Sequence, residues 1–242
     1  MLKSFLRSNR IARRLKAYLD FMIEGRHSKI RVFRALFKEN HNLILFDVGA
    51  NVGQFALDMM NADFKGEIHS FEPVSEFFFK LEQNSKRYKN WKVWNFALGQ
   101  RHAMSEIFVS ANDGLSSSLL AMKDLHAVNF PMSAAIRKEL ICIRTLADFL
   151  DENTQITGPI FLKIDVQGFE MEVLKGLKDR ISEIIYIYLE ASTSPLYEGE
   201  SDLHQLMNWL YHQNFILIQF FDGIRDKQGS LLQVDMLFKR NI

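Results

Sequence analysis

The chain is predicted to be an α/β protein, a Rossmann-like open sheet of mostly parallel strands with helices on both faces. Three observations carry this. The apolar run Leu43–Val48, broken only by Asp47, ends in a turn holding Gly49 and Gly53, and helical spacing of Val52, Phe55, Ala56, Met59 and Met60 follows. A second short strand ends at Glu72-Pro73, and Glu72 stands 23 residues after Gly49. Further apolar strands at 160–164 and 184–189 each run into an acid, Asp165 and Glu190. In an open α/β sheet ligands bind beyond the carboxyl ends of the strands, so these acids are expected to converge on one edge.

Composition fits this class. At 242 residues and 48% hydrophobic content the chain has enough apolar mass for one globular domain with an appendage. Residues 1–40 hold 11 Lys/Arg against 3 Asp/Glu, a net +8 in a chain whose total is +1, so residues 41–242 carry −7. Residues 1–40 read as one or two basic amphipathic helices, with an apolar stripe of Leu2, Phe5, Leu6, Ile11, Leu15, Leu19 and Met22. They form an extension to a domain at 41–242. Packing of the stripe on that domain, attachment to a membrane surface and docking to an anionic partner all fit the pattern. Asp20 and Glu24 count against a mitochondrial presequence, and no apolar run reaches the length of a membrane span. A chain starting near His41 is expected to keep its ligand, because all ligand motifs lie downstream.

The single cysteine, Cys142 in Leu140-Ile141-Cys142-Ile143, reads as a core residue. One cysteine permits no disulfide within the chain, which points to a reducing, cytoplasmic setting. The seven histidines show no metal-ligand spacing, so no dedicated metal site is read.

The first turn is not a dinucleotide fingerprint, because Asn51 stands where a glycine is needed; Asn tolerates positive φ, so the turn survives. No Gly-Lys-Ser or Gly-Lys-Thr follows it, which excludes a P-loop. A carboxylate at Asp47 repels pyrophosphate and suits an amino group. The ligand implied is a nucleoside bearing a cationic amino acid, S-adenosyl-L-methionine, bound at Asp47, Gly49, Asn51 and Gly53. The glycines are expected to let the backbone approach it. Glu72 sits near the offset at which a βαβ unit sets an acid against ribose hydroxyls, and a carboxylate can accept from both. S-adenosylmethionine, and not NAD, is therefore the expected ligand.

Residues 75–88 read as a helix with Phe78, Leu81 and Ser85 on one face, and Phe77-Phe78-Phe79 as core packing. Lys92–Gly99 is the third strand and its exit. Asn95 and Ala97 fall where an adenine edge could be read, or in a plain turn. Residues 105–109 add a strand, and the polar loop 112–118 either covers the site or is ordinary surface. Pro159 opens the strand 160–164, Asp165 ends it, and Gly168 turns the chain into a helix at about 169–176. Phe215–Phe220 and Gln233–Phe238 read as a closing hairpin pair.

These segments together resemble the FkbM family of S-adenosylmethionine-dependent methyltransferases. The resemblance rests on Asp47-Val-Gly-Ala-Asn-Val-Gly53, Phe71-Glu-Pro73, Asn95-Phe-Ala-Leu-Gly99, Arg144-Thr-Leu-Ala-Asp148 and Lys163-Ile-Asp-Val-Gln-Gly-Phe-Glu170, with Pro195–Gly199 and Gln233–Phe238 extending it over about 41–240. It implies a class I methyltransferase fold, a seven-stranded sheet with one antiparallel strand near the edge. The activity it implies is O-methylation of a sugar, glycan or secondary metabolite. Gln167 departs from the pattern, since many members carry Glu there. Asp165 and Glu190 are the candidates for base or substrate orienter, and a divalent cation held between them is the alternative. A non-catalytic nucleoside-binding scaffold is one rival, against which the two acids argue. A nucleic-acid methyltransferase is the other; its amino-methylating forms carry an acid or Asn before Pro-Pro and an aromatic, and this chain reads Asp165-Val-Gln-Gly168.

Overall fold

The structure is a computed structural model, described here for residues 29–110, 114, 117–123, 135–221 and 223–241. The predicted stripe of residues 1–28 and most of the loop 111–116 lie outside the described residues.

The central sheet contains β1 (Ile44–Val48), β2 (Ile68–Phe71), β3 (Trp91–Trp94), β7 (Ile160–Ile164), β8 (Ile184–Ser192), β9 (Phe215–Phe220), β10 (Ile224–Arg225) and β11 (Leu231–Arg240). Its order is β10-β11-β8-β7-β1-β2-β3, with β9 also on β11. All pairings from β3 to β8 are parallel, and β11 runs antiparallel to β8, β9 and β10. β9 and β10 follow one edge of β11 as an interrupted strand, so the expected count of seven becomes eight only through the break near Gly223. This is the class I methyltransferase arrangement. The chain leaves β1 toward β2 and later returns to its other side as β7, so the ligand crevice is expected between β1 and β7.

Both faces of the sheet are buried, with a period of two. Ile44, Phe46, Val48, Leu162, Ile164, Ile187 and Leu189 pack on one face against α4 (Leu146–Glu152), α5 (Glu170–Lys175) and α6 (Leu203–His212). Leu45, Phe161, Tyr186, Tyr188 and Leu237 pack on the other against α1 (residues 29–39) and α2 (Gln54–Asn61). Helix starts follow local chemistry: Thr145 Oγ1 caps α4, and Asp202 with Gln205 forms a capping box on α6. In α3 (Ser75–Ser85) the inward face is Phe77, Leu81 and Ser85; Phe78 is only partly buried, one position off the expected stripe.

Helix α1 lies before the boundary drawn at residue 40 and packs on the domain that follows it. Phe33, Leu36 and Phe37 are buried, and the Phe33 ring meets Phe37, Phe55, Phe161, Tyr188 and Phe221 with centroids 5.4–6.2 Å apart. The described end of the basic extension is thus built into the core, and a cut at His41 removes part of it.

A second sheet, β4 (Ala97–Leu98), β6 (Ala135–Arg144) and β5 (Ala103–Ser110), pairs in the order β4-β6-β5. It also corrects the reading of Cys142. Ile141 and Ile143 face inward with Ile107 and Val109, which leaves Cys142 exposed opposite Met104. An apolar run read as buried on both faces is an alternating strand with one face outward.

Candidate active site

A cavity of about 380 Å³ opens at the carboxyl ends of β1, β2, β7 and β8. Its walls include Gly49–Asn51, Phe71–Pro73, Phe96–Leu98, Asp165–Gln167, Phe169, Tyr188, Glu190 and Asp235, with Lys29, Ile30 and Phe33 from α1 and Phe55 from α2. The volume falls in the range of small-molecule sites, about 300–1,000 Å³.

The glycine turn has the predicted shape for a different reason. Gly49 (φ 73) and Gly53 (φ 94) are left-handed, and Asn51 adopts φ 49 as expected. A Cβ on Gly49 would stand 1.9 Å from the Asp165 carbonyl oxygen, and one on Gly53 2.5 Å from the Trp91 ring. Both glycines are demanded by protein packed against them. Gly49 lets the ends of β1 and β7 close up, and Gly53 lets α2 start against β3.

Asp47 is not in the cavity wall. Its side chain is fully buried, and Lys163 Nζ lies 3.0 Å from Oδ1. The two residues are direct partners in the β1–β7 register. Lys163 also donates to the carbonyls of Val48 (3.2 Å) and Gly49 (2.9 Å), and Ser70 Oγ donates to Asp47 Oδ2 at 3.4 Å. Burial pulls the Lys163 ammonium down, but Asp47 and then Asp165 more than offset it, and the net shift is upward. The expected contact of Asp47 with a ligand amino group is thus replaced by an internal ammonium. Sequence reasoning missed Lys163, although a lone Lys inside the apolar strand Ile160–Ile164 was the signal for it.

Glu72 lines the cavity. Its carboxylate accepts from Asn51 N and Val74 N, each at 2.8 Å, and so ties the glycine turn to the exit of β2. Burial pushes its carboxyl up to about 7, against the pull of those two amides and of Lys163. Ala97 also lines the cavity, flanked by Phe96 and Leu98. Asn95 does not: it is exposed, and its amide donates to the carbonyls of Glu72 (2.9 Å) and Pro73 (3.1 Å). That amide holds the turn after β2.

The acids of β7 and β8 do converge. Asp165, with 44% of its side chain exposed, lies 3.8 Å through Oδ2 from Lys163. Gln167 Nε2 donates to Asp165 Oδ1 (3.0 Å) and to Glu190 Oε2 (3.1 Å). Gln233 Nε2 adds a second bond to Glu190 Oε2 at 2.9 Å. Burial, then Asp165, Asp235 and Glu170, push the Glu190 carboxyl well above the usual range. Glu170 does something different. It accepts from Val166 N (3.2 Å) and Gly168 N (3.1 Å) and pins the loop that carries Gln167. Burial raises its carboxyl to about 8. Opposite, Asp235 pairs with Lys29 of α1, whose ammonium also lies over the Tyr188 and Phe221 rings. Among the described residues no group of three or more His, Cys, Asp or Glu is placed to hold a metal ion.

The model of the methyltransferase FkbM domain matches residues 47–217. The chain belongs to the FkbM-domain methyltransferase family. It is 28% identical over 161 residues to the hexuronic acid methyltransferase AglP of Haloferax volcanii, covering 66% of this chain and 60% of that relative. It is 24% identical over 213 residues to the 2-O-methyltransferase NoeI of Sinorhizobium fredii, covering 85% of each. The chain therefore spans less than two thirds of the AglP length. The crystal structure of an FkbM methyltransferase from Methylobacillus flagellatus superposes with a TM-score of 0.52 at 18% identity, over 81% of this chain and 43% of that one, and shares its fold. The family match starts downstream of α1, although α1 supplies cavity wall.

Proposed function

We propose that this FkbM-family protein is an S-adenosylmethionine-dependent O-methyltransferase acting on a hydroxyl of a sugar or glycan. The observation that carries the reading is one cavity whose wall holds both the buried Glu72 and the half-exposed Asp165. The relatives named for hexuronic acid and 2-O-methyl transfer support a carbohydrate acceptor.

The residues present fit the cofactor. Glu72 offers a buried carboxylate where hydroxyl donors suit it and phosphate does not. Phe96, Ala97 and Leu98 make an apolar slot for a flat base. The Lys163–Asp47 pair leaves the floor near neutrality, compatible with a zwitterionic amino acid. When bound, the cofactor supplies an activated methyl on a sulfonium. The protein must then align the acceptor oxygen and take its proton. Asp165, half-exposed at the cavity wall, would take that proton, and Glu190 beside it would orient the acceptor. Phe55 and Tyr188, whose rings stack with centroids 5.4 Å apart, add apolar surface to the same cavity. None of the described helices is long and apolar enough to cross a membrane. The lone thiol of Cys142 suits a reducing compartment, which supports a cytoplasmic setting.

The test is methyl transfer by the purified full chain from labelled S-adenosylmethionine to a panel of glycans and glycosylated metabolites. Transfer to a sugar hydroxyl is expected. Tight binding of the cofactor with no transfer to any of them would favour a binding scaffold.

A further inference from the structure

Gln167 sits in a left-handed backbone conformation (φ 53) in the turn after β7. Its amide is saturated. Each Nε2 hydrogen serves one carboxylate, Asp165 Oδ1 at 3.0 Å and Glu190 Oε2 at 3.1 Å. Its Oε1 accepts from the Tyr197 hydroxyl at 2.9 Å, and its backbone carbonyl accepts from Ser118 Oγ at 2.6 Å. The reversed amide would point a carbonyl oxygen at two carboxyl oxygens, so this network fixes its orientation.

We propose that Gln167 is the positioning residue of the acceptor site, fastening Asp165 and Glu190 into one rigid two-carboxyl clamp for neighbouring oxygens of a polyol, in the bridging place a cation would otherwise take. The proposal rests on the O-methyltransferase reading above.

An amide bridges two carboxyl groups without supplying charge, so the clamp holds a single negative charge only if one member keeps a proton. The surroundings select Glu190. Facing it are Asp165, Tyr188 of β8, Asp235 of β11, Glu170 of α5 and Tyr197, with Lys163 of β7 beside Asp165, Lys29 of α1 on Asp235 and Glu200 near Tyr197 beyond. Burial disfavours the charged form of Glu190 most, and the acids in that set add to it. Asp165 is the more solvated member. In the transfer the acceptor oxygen gains the methyl, its proton passes to Asp165, and the C–S bonding pair returns to sulfur. The Glu190 O–H donates to the adjacent acceptor oxygen.

The decisive variant is Gln167→Glu, which removes both donated bonds and adds a third carboxyl. In the full chain kcat for a methylated acceptor should fall about 100-fold or more, the scale of a lost general base. Binding of S-adenosylhomocysteine should stay within about threefold, and the acid limb of the kcat/KM–pH profile should move upward by about one unit, the scale of a close like-charge contact. Added Mg²⁺ should restore part of the Q167E activity and leave wild type unchanged. Tyr197→Phe, which removes the bond to Gln167 Oε1, should lower kcat by about three- to tenfold, the scale of one neutral hydrogen bond. Wild-type kcat and pH profile in Q167E would overturn the proposal; if Q167E fails to fold, wild-type kcat in Y197F would do so. A readout free of turnover separates this from the parent reading. Carboxyl ¹³C titration of the wild-type chain should show Glu190 protonated at pH 7, and an ionised Glu190 there would overturn the clamp. A protonated Glu190 in a protein that methylates nothing would instead count against the O-methyltransferase reading.

Discussion

Replacing Phe33 with Ala tests whether α1 belongs to the catalytic unit. Phe33 is 1% exposed and its ring touches five others, from α1, α2, β7, β8 and the residue after β9. Truncating such a side chain costs about 3–5 kcal/mol, transfer and cavity together. A domain of this kind holds roughly 5–15 kcal/mol in all, so F33A removes a large share. Starting the chain at His41 deletes Phe33, Leu36 and Phe37, worth about 1.5–3 kcal/mol each, and uncovers the apolar face of Phe55, Phe161 and Tyr188. Urea unfolding followed by tryptophan fluorescence reads this directly. F33A should shift the midpoint strongly with little change in slope, and the chain from His41 should aggregate or lose cooperative unfolding. Phe33 also walls the cavity, so F33A should weaken S-adenosylhomocysteine binding. A chain from His41 that unfolds at the wild-type midpoint and binds that ligand normally would refute the reasoning and restore the boundary at residue 40.

Glu72→Ala should weaken cofactor binding by about 1.5–3 kcal/mol in calorimetry, because hydrogen bonds to a charged group are lost; unchanged affinity would remove its ribose role. Glu170→Gln keeps an acceptor oxygen for Val166 N and Gly168 N but removes the titration. The wild-type carboxyl is raised from 4.5 to about 8, so the folded state binds more protons across that window, and wild-type stability falls as pH rises through it. The Gln variant should therefore gain on wild type by a few kcal/mol, in order of magnitude, in melts at pH 8, and the gain should vanish below pH 4.5. Lys163→Met leaves Asp47 buried and unpaired and should cost about 3–5 kcal/mol in urea unfolding, with much of the loss recovered when Asp47→Leu is added. Asp165→Asn should lower kcat by about 10²–10⁴-fold with cofactor affinity nearly kept, and Glu190→Gln should cost less; the reverse order would make Glu190 the base.

The strands that position the site were legible because both sheet faces are buried and β1, β2 and β7 each stop at a Gly or an acid. What lay beyond the sequence was anything set by register between distant strands. Asp47 and Lys163 become neighbours only because β1 pairs with β7 in one alignment. Residues 1–40 read as helical in the sequence, but that reading does not name the face of the sheet that receives Phe33. Cys142 was misplaced because a short apolar run does not reveal whether a strand has one covered face or two. The four acids make the same point in chemistry. Each stands at or near the carboxyl end of a strand, and from sequence they look alike. Asp47 meets an ammonium and becomes structural. Glu72 meets two backbone amides and ties two turns together at the cavity wall. Glu190 meets other acids and two side-chain amides, and its carboxyl is pushed upward. Asp165 alone keeps a large exposed fraction at the cavity wall. The fold brings the carboxylates to one edge, and their nearest partners then decide which of them can act as a base.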